Sequence, residues 1–409
     1  MLSWQERFWS ALRTAGMPEV PEQFSVVPFP QTIPQSILAE LATFIDTFNR
    51  VSGRRAWQER VTSLGPKIVR VTRPEVCFFS AWDFHLPPEE PGEWQLIEFN
   101  DNGSGLLFAG LINAIFYEVA PELERTALKP PWSFPILSEW IANIVETEAR
   151  RFFGTFPPGS FLILDDAESL QSGKFRSELK LMCDWWQQRG WPVAMAAPEE
   201  TKWYGGRLLV KGQEVSVVVN RSTDFFWQSE AFAAIKKAYE TGRIYVAPNP
   251  FTYATRSDKR LLEFLSLPHW DEELGIEPQE RRILNAHVPE TYLLREDNLE
   301  AIGMQKEAFF FKPLYGFASR GVLPSSQVGV SRLRRLLKQG KPYVAQKKVP
   351  KSLLRLPDRD APLWVDLRVW AYRGEIFGLS GRASCHPERL DLTLPGGWLP
   401  TLIEVEEPG

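Results

Sequence analysis

The spacing of hydrophobic and polar positions changes along this chain, and the changes divide it. Up to about residue 65, apolar residues recur at helical spacing, with a proline-rich break at "VPFPQTIPQS", so this part reads as mainly helical. In "KIVRVTRPEVCFFSAWDF" apolar and β-branched residues dominate, "HLPPEEPGEW" is polar and proline-rich, and "QLIEFN" returns. Residues 76 to 100 therefore read as a hairpin with a long loop. An apolar, glycine-spaced helix follows in "GLLFAGLINAIFYEVA", and Pro130, Pro131 and Pro135 mark a boundary.

Between 160 and 250 the pattern is strand, helix, strand. "FLILDD" and "PVAMAA" flank "SELKLMCDWWQQRG", where Leu179, Met182, Cys183 and Trp186 fall on one helical face and Gly190 supplies the stop. "RLLV" and "VSVVVN" are further strands, followed by a helix ending at Gly242 and the short strand "IYVAPNP". This alternation predicts a small α/β layer with parallel pairing. Beyond 251, "SDKRLLEFLS" reads as a helix, "ILNAHVPETYLL" as a loop leading into a strand, and "EAFFFKPLYGFASRGVLP" as strand, loop, strand. A basic helix, "SRLRRLLKQG", precedes the strand "PYVAQKKVP", and "LWVDLRVWAYRGEIFGLSGRAS" is a hairpin turning at Arg373 and Gly374.

Composition narrows the classes. A chain of 409 residues with 44% apolar and 24% charged residues is globular and long enough for two or three domains. The net charge of −4, without a basic block, argues against nucleic acid as a partner. No apolar run reaches membrane-spanning length, and charges interrupt the amphipathic N-terminus as they would not in a signal peptide. A cytoplasmic location is the expectation. Cys77, Cys183 and Cys385 are too scattered for a disulfide framework, and His85, His269, His287 and His386 show no zinc spacing. The 16 tryptophans read as core and contact residues.

Three stretches carry candidate chemistry. In "FFFKPLYGFASRGV" a strand delivers Lys312 to a loop of small residues, where backbone N–H groups and an ammonium suit a phosphate chain; an ordinary hairpin with an exposed lysine reads similarly. In "WVDLRVWAYRGEIFGLSGRAS" alternation puts Asp366, Arg368 and Trp370 on one face, and Arg382 stands on the return strand. Two arginines there suit an anion, or else form cross-strand charge pairs on a solvated face. In "LIEFNDNGSG" Glu98 and Asn100 point to one face, and Asp83 lies on the other arm of the hairpin. Two carboxylates and an amide oxygen suit a hard cation such as Mg²⁺, while a lone Glu-x-Asn also fits a hydrogen-bonded turn.

Together these stretches, in this order, resemble the circularly permuted branch of the ATP-grasp ligases, typified by the synthetase domain of glutathionylspermidine synthase. "AWDF" with "LIEFN" resembles that family's metal hairpin, which the permutation places early. "VVVNRSTDFFWQSEAF", "GRIYVAPNPF" and "SDK" resemble its middle segment, and "FKPLYGFASRGV" its phosphate loop. "YVAQKKVP" resembles its hinge strand, and "DLRVWAYRGEIFGLSGRAS" with "LPGG" its last hairpin. The resemblance spans roughly residues 70 to 400.

The resemblance implies an α+β ATP-grasp fold with a preATP-grasp-like α/β domain. Residues 1–132 would carry the helical segment and the metal hairpin, packed on the C-terminal lobe. Residues 133–250 would form the central α/β domain and 251–409 the ATP-binding lobes. It further implies ATP and Mg²⁺ as cofactors. Asp83, Glu98 and Asn100 would hold the metal. Lys259 and Lys312 would contact phosphates, with Gly316 and Gly321 in the phosphate loop. Gln346, Lys347 and Val349 would line the adenine pocket. Arg368 and Arg382 would face the γ-phosphate and the acyl phosphate, and Ser319 and Arg320 would sit in a lid. The implied activity is carboxylate–amine ligation through an acyl phosphate, with a small-molecule or peptide carboxylate and an amine as substrates. A non-catalytic nucleotide-binding protein and an ATP-grasp kinase are the alternatives, and the chain would act as a monomer or homodimer. Ala81 stands where that family has an arginine on the acceptor side, so polyamine or glutathione chemistry does not carry over. The first 65 residues match nothing in the pattern.

Overall fold

The hairpin forms from two strands, Ser80–His85 and Gln95–Asn100, and it joins a sheet built mainly from the far end of the sequence. This computed structural model describes residues 4–15, 25–71, 79–87, 90–267, 274–315, 321–357 and 359–405. The six-stranded sheet runs Gly397–Leu399, Glu375–Ser384, Leu363–Tyr372, Ser80–His85, Gln95–Asn100, with Ser352–Leu354 also pairing on Leu363–Tyr372. Arg373 and Gly374 turn its long hairpin with φ of 51° and 89°. Consecutive positive φ values match the twist of the flanking strands.

One face of this sheet is apolar. Trp82, Phe84, Leu96 and Phe99 lie in one core cluster with Phe44 and Phe48 of the helix Gln35–Ser52, mostly in edge-on ring contacts. The N-terminal helical segment therefore serves as backing for the hairpin. In an unbroken strand Leu96 and Glu98 would share a face. The pairing shifts between Asp83 and Phe84, leaving Ile97 as an extra residue. This bulge leaves Leu96 in the core and turns Glu98 to the opposite face, beside Asp83. Beyond it, Glu98 and Asn100 keep a common face.

The glycines after Asn100 have a steric cause. Gly105 has φ of 95°, and a Cβ there would lie 2.5 Å from the Trp398 ring. The carbonyl of Gly103 accepts from Trp370 Nε1 at 3.0 Å, which pins the turn to the C-terminal hairpin. The buried helix Leu106–Val119 starts directly after it.

In the central layer Ser160–Leu164 pairs in parallel with Val193–Ala196 and with Gln213–Asn220, which pairs in parallel with Tyr245–Ala247. The crossing helix Arg176–Gln188 buries Leu179, Met182, Cys183 and Trp186, the face read from their spacing. A third sheet of three antiparallel strands, ordered Thr291–Leu293, Tyr343–Lys347, Phe309–Pro313, carries the hinge and phosphate-loop strands. Its core cluster includes Leu333 of the helix Val330–Lys338.

Several elements differ from expectation. Lys67–Arg70 is a 3₁₀ turn, and residues 72–78, with Cys77, lie outside the described residues. The strand expected after the phosphate loop reduces to one bridge between Leu323 and Phe311. "ILNA" ends the helix Pro278–Ala286. The helix Pro250–Arg256 is opened by Asn249, whose side chain accepts from the N–H groups of Phe251 and Thr252. Trp57, Trp94, Trp186, Trp227, Trp370 and Trp398 are fully buried, as expected of core residues.

Candidate active site

The register of the large sheet assembles a charged face. Asp366 stands opposite Arg382, Arg368 opposite Asp83, and Asp83 opposite Glu98. Arg368 donates from Nε and Nη2 to the two oxygens of Asp83 at 2.7 and 2.8 Å. Arg382 donates to both oxygens of Asp366 at 2.8 Å, and its Nη2 also lies 2.8 Å from Asp83 Oδ2. Asp83, Asp366 and Arg382 are buried, so this is no solvated face. Buried ions persist only with such well-aligned, two-point partners. Burial pushes the Asp83 carboxyl up, but Arg368 and Arg382 outweigh it and hold the group well below its ordinary range.

The small sheet closes over this face through two side chains. Lys312 Nζ donates to Gln346 Oε1 at 2.5 Å and to the carbonyl of Ile97, the bulged residue, at 3.3 Å. Gln346 Nε2 donates to the same carbonyl at 3.3 Å. At 8% exposure Lys312 is not the exposed lysine of an ordinary hairpin. Burial, with Lys259 and Lys351 nearby, pushes its ammonium down to about 8 against the pull of Glu98 and Asp83. Lys259 pairs with Glu98 Oε1 at 3.1 Å, and burial lowers Lys351, which faces Asp366 and Arg382. Lys259, Lys312, Lys351, Arg368 and Arg382 thus outnumber Asp83, Glu98 and Asp366, and the face carries surplus positive charge for an anion.

The remaining candidates lie as follows. Lys347 is exposed, with Nζ 3.8 Å from Glu290 Oε2. The carbonyl of Val349 meets His85 Nδ1 at 3.0 Å. Gly321 has φ of 78°, and its carbonyl accepts from Tyr343 Oη at 3.1 Å. Gly316, Ser319 and Arg320 lie outside the described residues.

For Mg²⁺ the donor types and their common face fit: two carboxylates paired across strands and an amide oxygen on the same side. The oxygens are nevertheless engaged. Those of Asp83 hold guanidinium groups, and Asn100 Oδ1 accepts from the backbone of Asn102 and Gly103 at 3.2 and 3.4 Å, the turn that its sequence also allowed. Glu98, 30% exposed in its side chain, is more open than Asp83, at 6%. Among the described residues no group of three or more His, Cys, Asp or Glu side chains converges as a metal cluster.

Several residues at or beside the face escaped sequence reading. Lys351 and His85 are two. A second group stands at the carboxyl ends of the parallel strands Ser160–Leu164 and Gln213–Asn220, the edge where open α/β sheets bind ligands. There Arg221 Nη2 reaches Ser104 Oγ at 2.5 Å and Glu178 Oε2 at 3.5 Å, while Asp166 accepts from Ser222 and Thr223. Glu178 in turn accepts from the N–H groups of Gly105 and Leu107, so the hairpin turn is fastened to the central layer. Burial pushes the Asp165 carboxyl up to about 6. Strand-end position alone was the available signal for these residues.

No family model matches the chain, and no curated protein matches it significantly. Solved structures do. A glutathione synthetase-like effector from Globodera pallida, in apo form, superposes with a TM-score of 0.61 at 10% identity, covering 98% of this chain and 96% of that one. A protein described as a candidate gamma-glutamylcysteine synthetase from Methylobacillus flagellatus gives 0.49 at 10% identity over 89% of this chain and 88% of its own. An ATP-grasp ligase complexed with a minimal precursor gives 0.30 at 11% identity over 61% and 90%. With its sheets arranged as described, the chain has an ATP-grasp-like α+β fold.

Proposed function

We propose that this protein is an ATP-dependent carboxylate–amine ligase. The observation that carries the reading is Lys312: a buried ammonium held between two sheets, on a face where cations outnumber carboxylates. Such a charge is costly to bury without an anion to meet it. A nucleotide triphosphate supplies that anion, with its base toward the hinge strand Tyr343–Lys347 and its phosphates over Arg368 and Arg382.

In the proposed reaction a substrate carboxylate oxygen attacks the γ-phosphorus and ADP leaves. The acceptor amine then attacks the acyl carbon, phosphate leaves, and the nitrogen loses a proton. Lys259, Lys312, Arg368 and Arg382 orient the phosphates and stabilise the charge that moves onto the leaving oxygen. Asp83, Glu98 and Asn100 would hold Mg²⁺, which when bound supplies further charge neutralisation to the phosphate oxygens. Ser319 and Arg320 would cover the transferring group. No enzyme nucleophile is required.

A second reading, ATP binding without ligation, is favoured by one observation: both oxygens of Asp83 and the amide oxygen of Asn100 already have protein partners. Phosphate release from ATP, followed with pooled carboxylates and amines, separates the two. The ligase reading expects release only when both pools are present, and loss of release in Lys312→Met. Tight ATP binding with no release under any pool supports the second reading.

A further inference from the structure

We propose that the chain forms a twofold dimer in which the edge strand Thr201–Tyr204 pairs antiparallel with the same strand of a second copy.

Thr201–Tyr204 is the last strand of the central sheet and pairs on one side only, with Arg207–Val210. Gly205 and Gly206 form the turn between them, with φ of 58° and 77°. In such a two-residue hairpin the closing pair exchanges both of its backbone bonds, and bonded and unbonded pairs then alternate. Tyr204 thus bonds inward to Arg207, and Lys202 to Leu209. The N–H and C=O of Trp203, between them, point outward from the sheet edge. Thr201 aims its C=O the same way, while its N–H donates to the Pro198 carbonyl. Among the described residues no strand meets this row. A donor and an acceptor left open on one extended residue fit another extended residue.

Two features select a second copy of this chain as the occupant. The first is register. When Trp203 exchanges both bonds with the partner's Trp203, Lys202 stands opposite the partner's Tyr204. Such a pair is of the unbonded kind, in which side chains lie closest. Tyr204 is 76% exposed and Lys202 is exposed, so an ammonium meets a phenol ring on each side of the axis.

The second feature is charge. A groove beside the strand is walled by the helix Ala233–Glu240 and its opening turn, where Glu230, Ala233, Ala234 and Lys237 fall at i, i+3, i+4 and i+7. Trp203 packs on this side, against the core cluster that holds Leu208 and Ile235. A twofold axis through the strand pair, normal to the sheet, lays the partner's helix antiparallel on the same face. Glu230 then meets the partner's Lys237, and Lys237 the partner's Glu230, while the two alanines let the helices approach. A stripe with opposite charges at its ends and a small centre is complementary to itself.

The test is sedimentation of the full chain over about a hundredfold range of concentration, with amide hydrogen exchange at both ends of the range. We expect the mass to rise from 46.9 kDa toward twice that value. The Trp203 amide should exchange freely when the protein is monomeric and be protected in the dimer. Lys237→Glu, at an exposed position, should fold as the wild type does and weaken the dimer about tenfold or more. Glu230→Lys combined with Lys237→Glu should restore it, which damage to the fold could not do. A mass of 46.9 kDa at every concentration overturns the proposal and leaves the edge to a different chain. So does a dimer whose Trp203 amide exchanges freely, or one that Lys237→Glu leaves unchanged.

Discussion

Arg368 grips Asp83 with two hydrogen bonds of 2.7 and 2.8 Å, although 285 positions separate them in sequence. This buried pair fastens the early hairpin to the late one. Removing one partner leaves the other charged and unmet, which typically costs about 3–5 kcal/mol. Asp83→Asn is therefore expected to lower the unfolding free energy by about 3 kcal/mol, read from the denaturant midpoint. The pH dependence has a definite sign. The folded Asp83 carboxyl lies below its unfolded value, so its stabilisation is present above pH about 4 and is lost as pH falls further. Asp83→Asn should flatten that acid limb. An unchanged acid limb would show that the pair carries little of the stability.

Lys312 should couple ligand binding to proton uptake. With its ammonium near 8 in the free protein, about half of the molecules carry that proton at pH 8. A polyphosphate bound beside it raises the value, so binding at pH 8 should take up about half a proton, and binding at pH 6.5 almost none. Calorimetry in buffers of different ionisation enthalpy reads the number directly. Lys312→Met should abolish the uptake and weaken ATP binding. Uptake that persists in that variant would place the proton elsewhere.

Asp101 and Asp165 carry the opposite sign. Burial is the largest influence on each and pushes the folded carboxyl up to about 6. The folded protein holds these protons more tightly than the unfolded chain, so stability falls as pH rises from about 4 to 6. Asp101→Asn should stabilise the protein at pH 7.5 by about 1–3 kcal/mol and leave it unaffected near pH 4. A loss of stability at pH 7.5 would mean that the attraction of Arg256 for the Asp101 carboxylate outweighs the burial of charge.

The turn that presents the site tolerates little. Gly105→Ala places a side chain at φ 95° and against Trp398, and should cost about 2 kcal/mol or more in unfolding free energy. Gly92→Ala, where a Cβ meets nothing within 4 Å, is the matched control and should cost far less.

How much of this the sequence made legible depends on the range of the interaction. The hairpin turn at Arg373–Gly374 and the buried face of Arg176–Gln188 follow from local chemistry and period. The shared face of Asp366 and Arg368 follows from alternation, but their partners Arg382 and Asp83 follow from register, which a local pattern does not contain. The bulge at Ile97 has no composition signal, yet it decides that Glu98 faces the site. Asn249 followed by Pro250 was a readable helix start, hidden by its closeness to the strand Tyr245–Ala247. Arg221 and Glu178 become site neighbours only through the packing of the central layer against the turn.

The most direct measurement is calorimetric titration of ATP, with and without Mg²⁺, into the wild type and Glu98→Gln. A nucleotide site on this face predicts that the wild type binds ATP, that Mg²⁺ strengthens the binding, and that Glu98→Gln loses only the Mg²⁺-dependent part. Absence of ATP binding by the folded wild type would contradict it, and would leave the buried cations of this face as structural pairs alone.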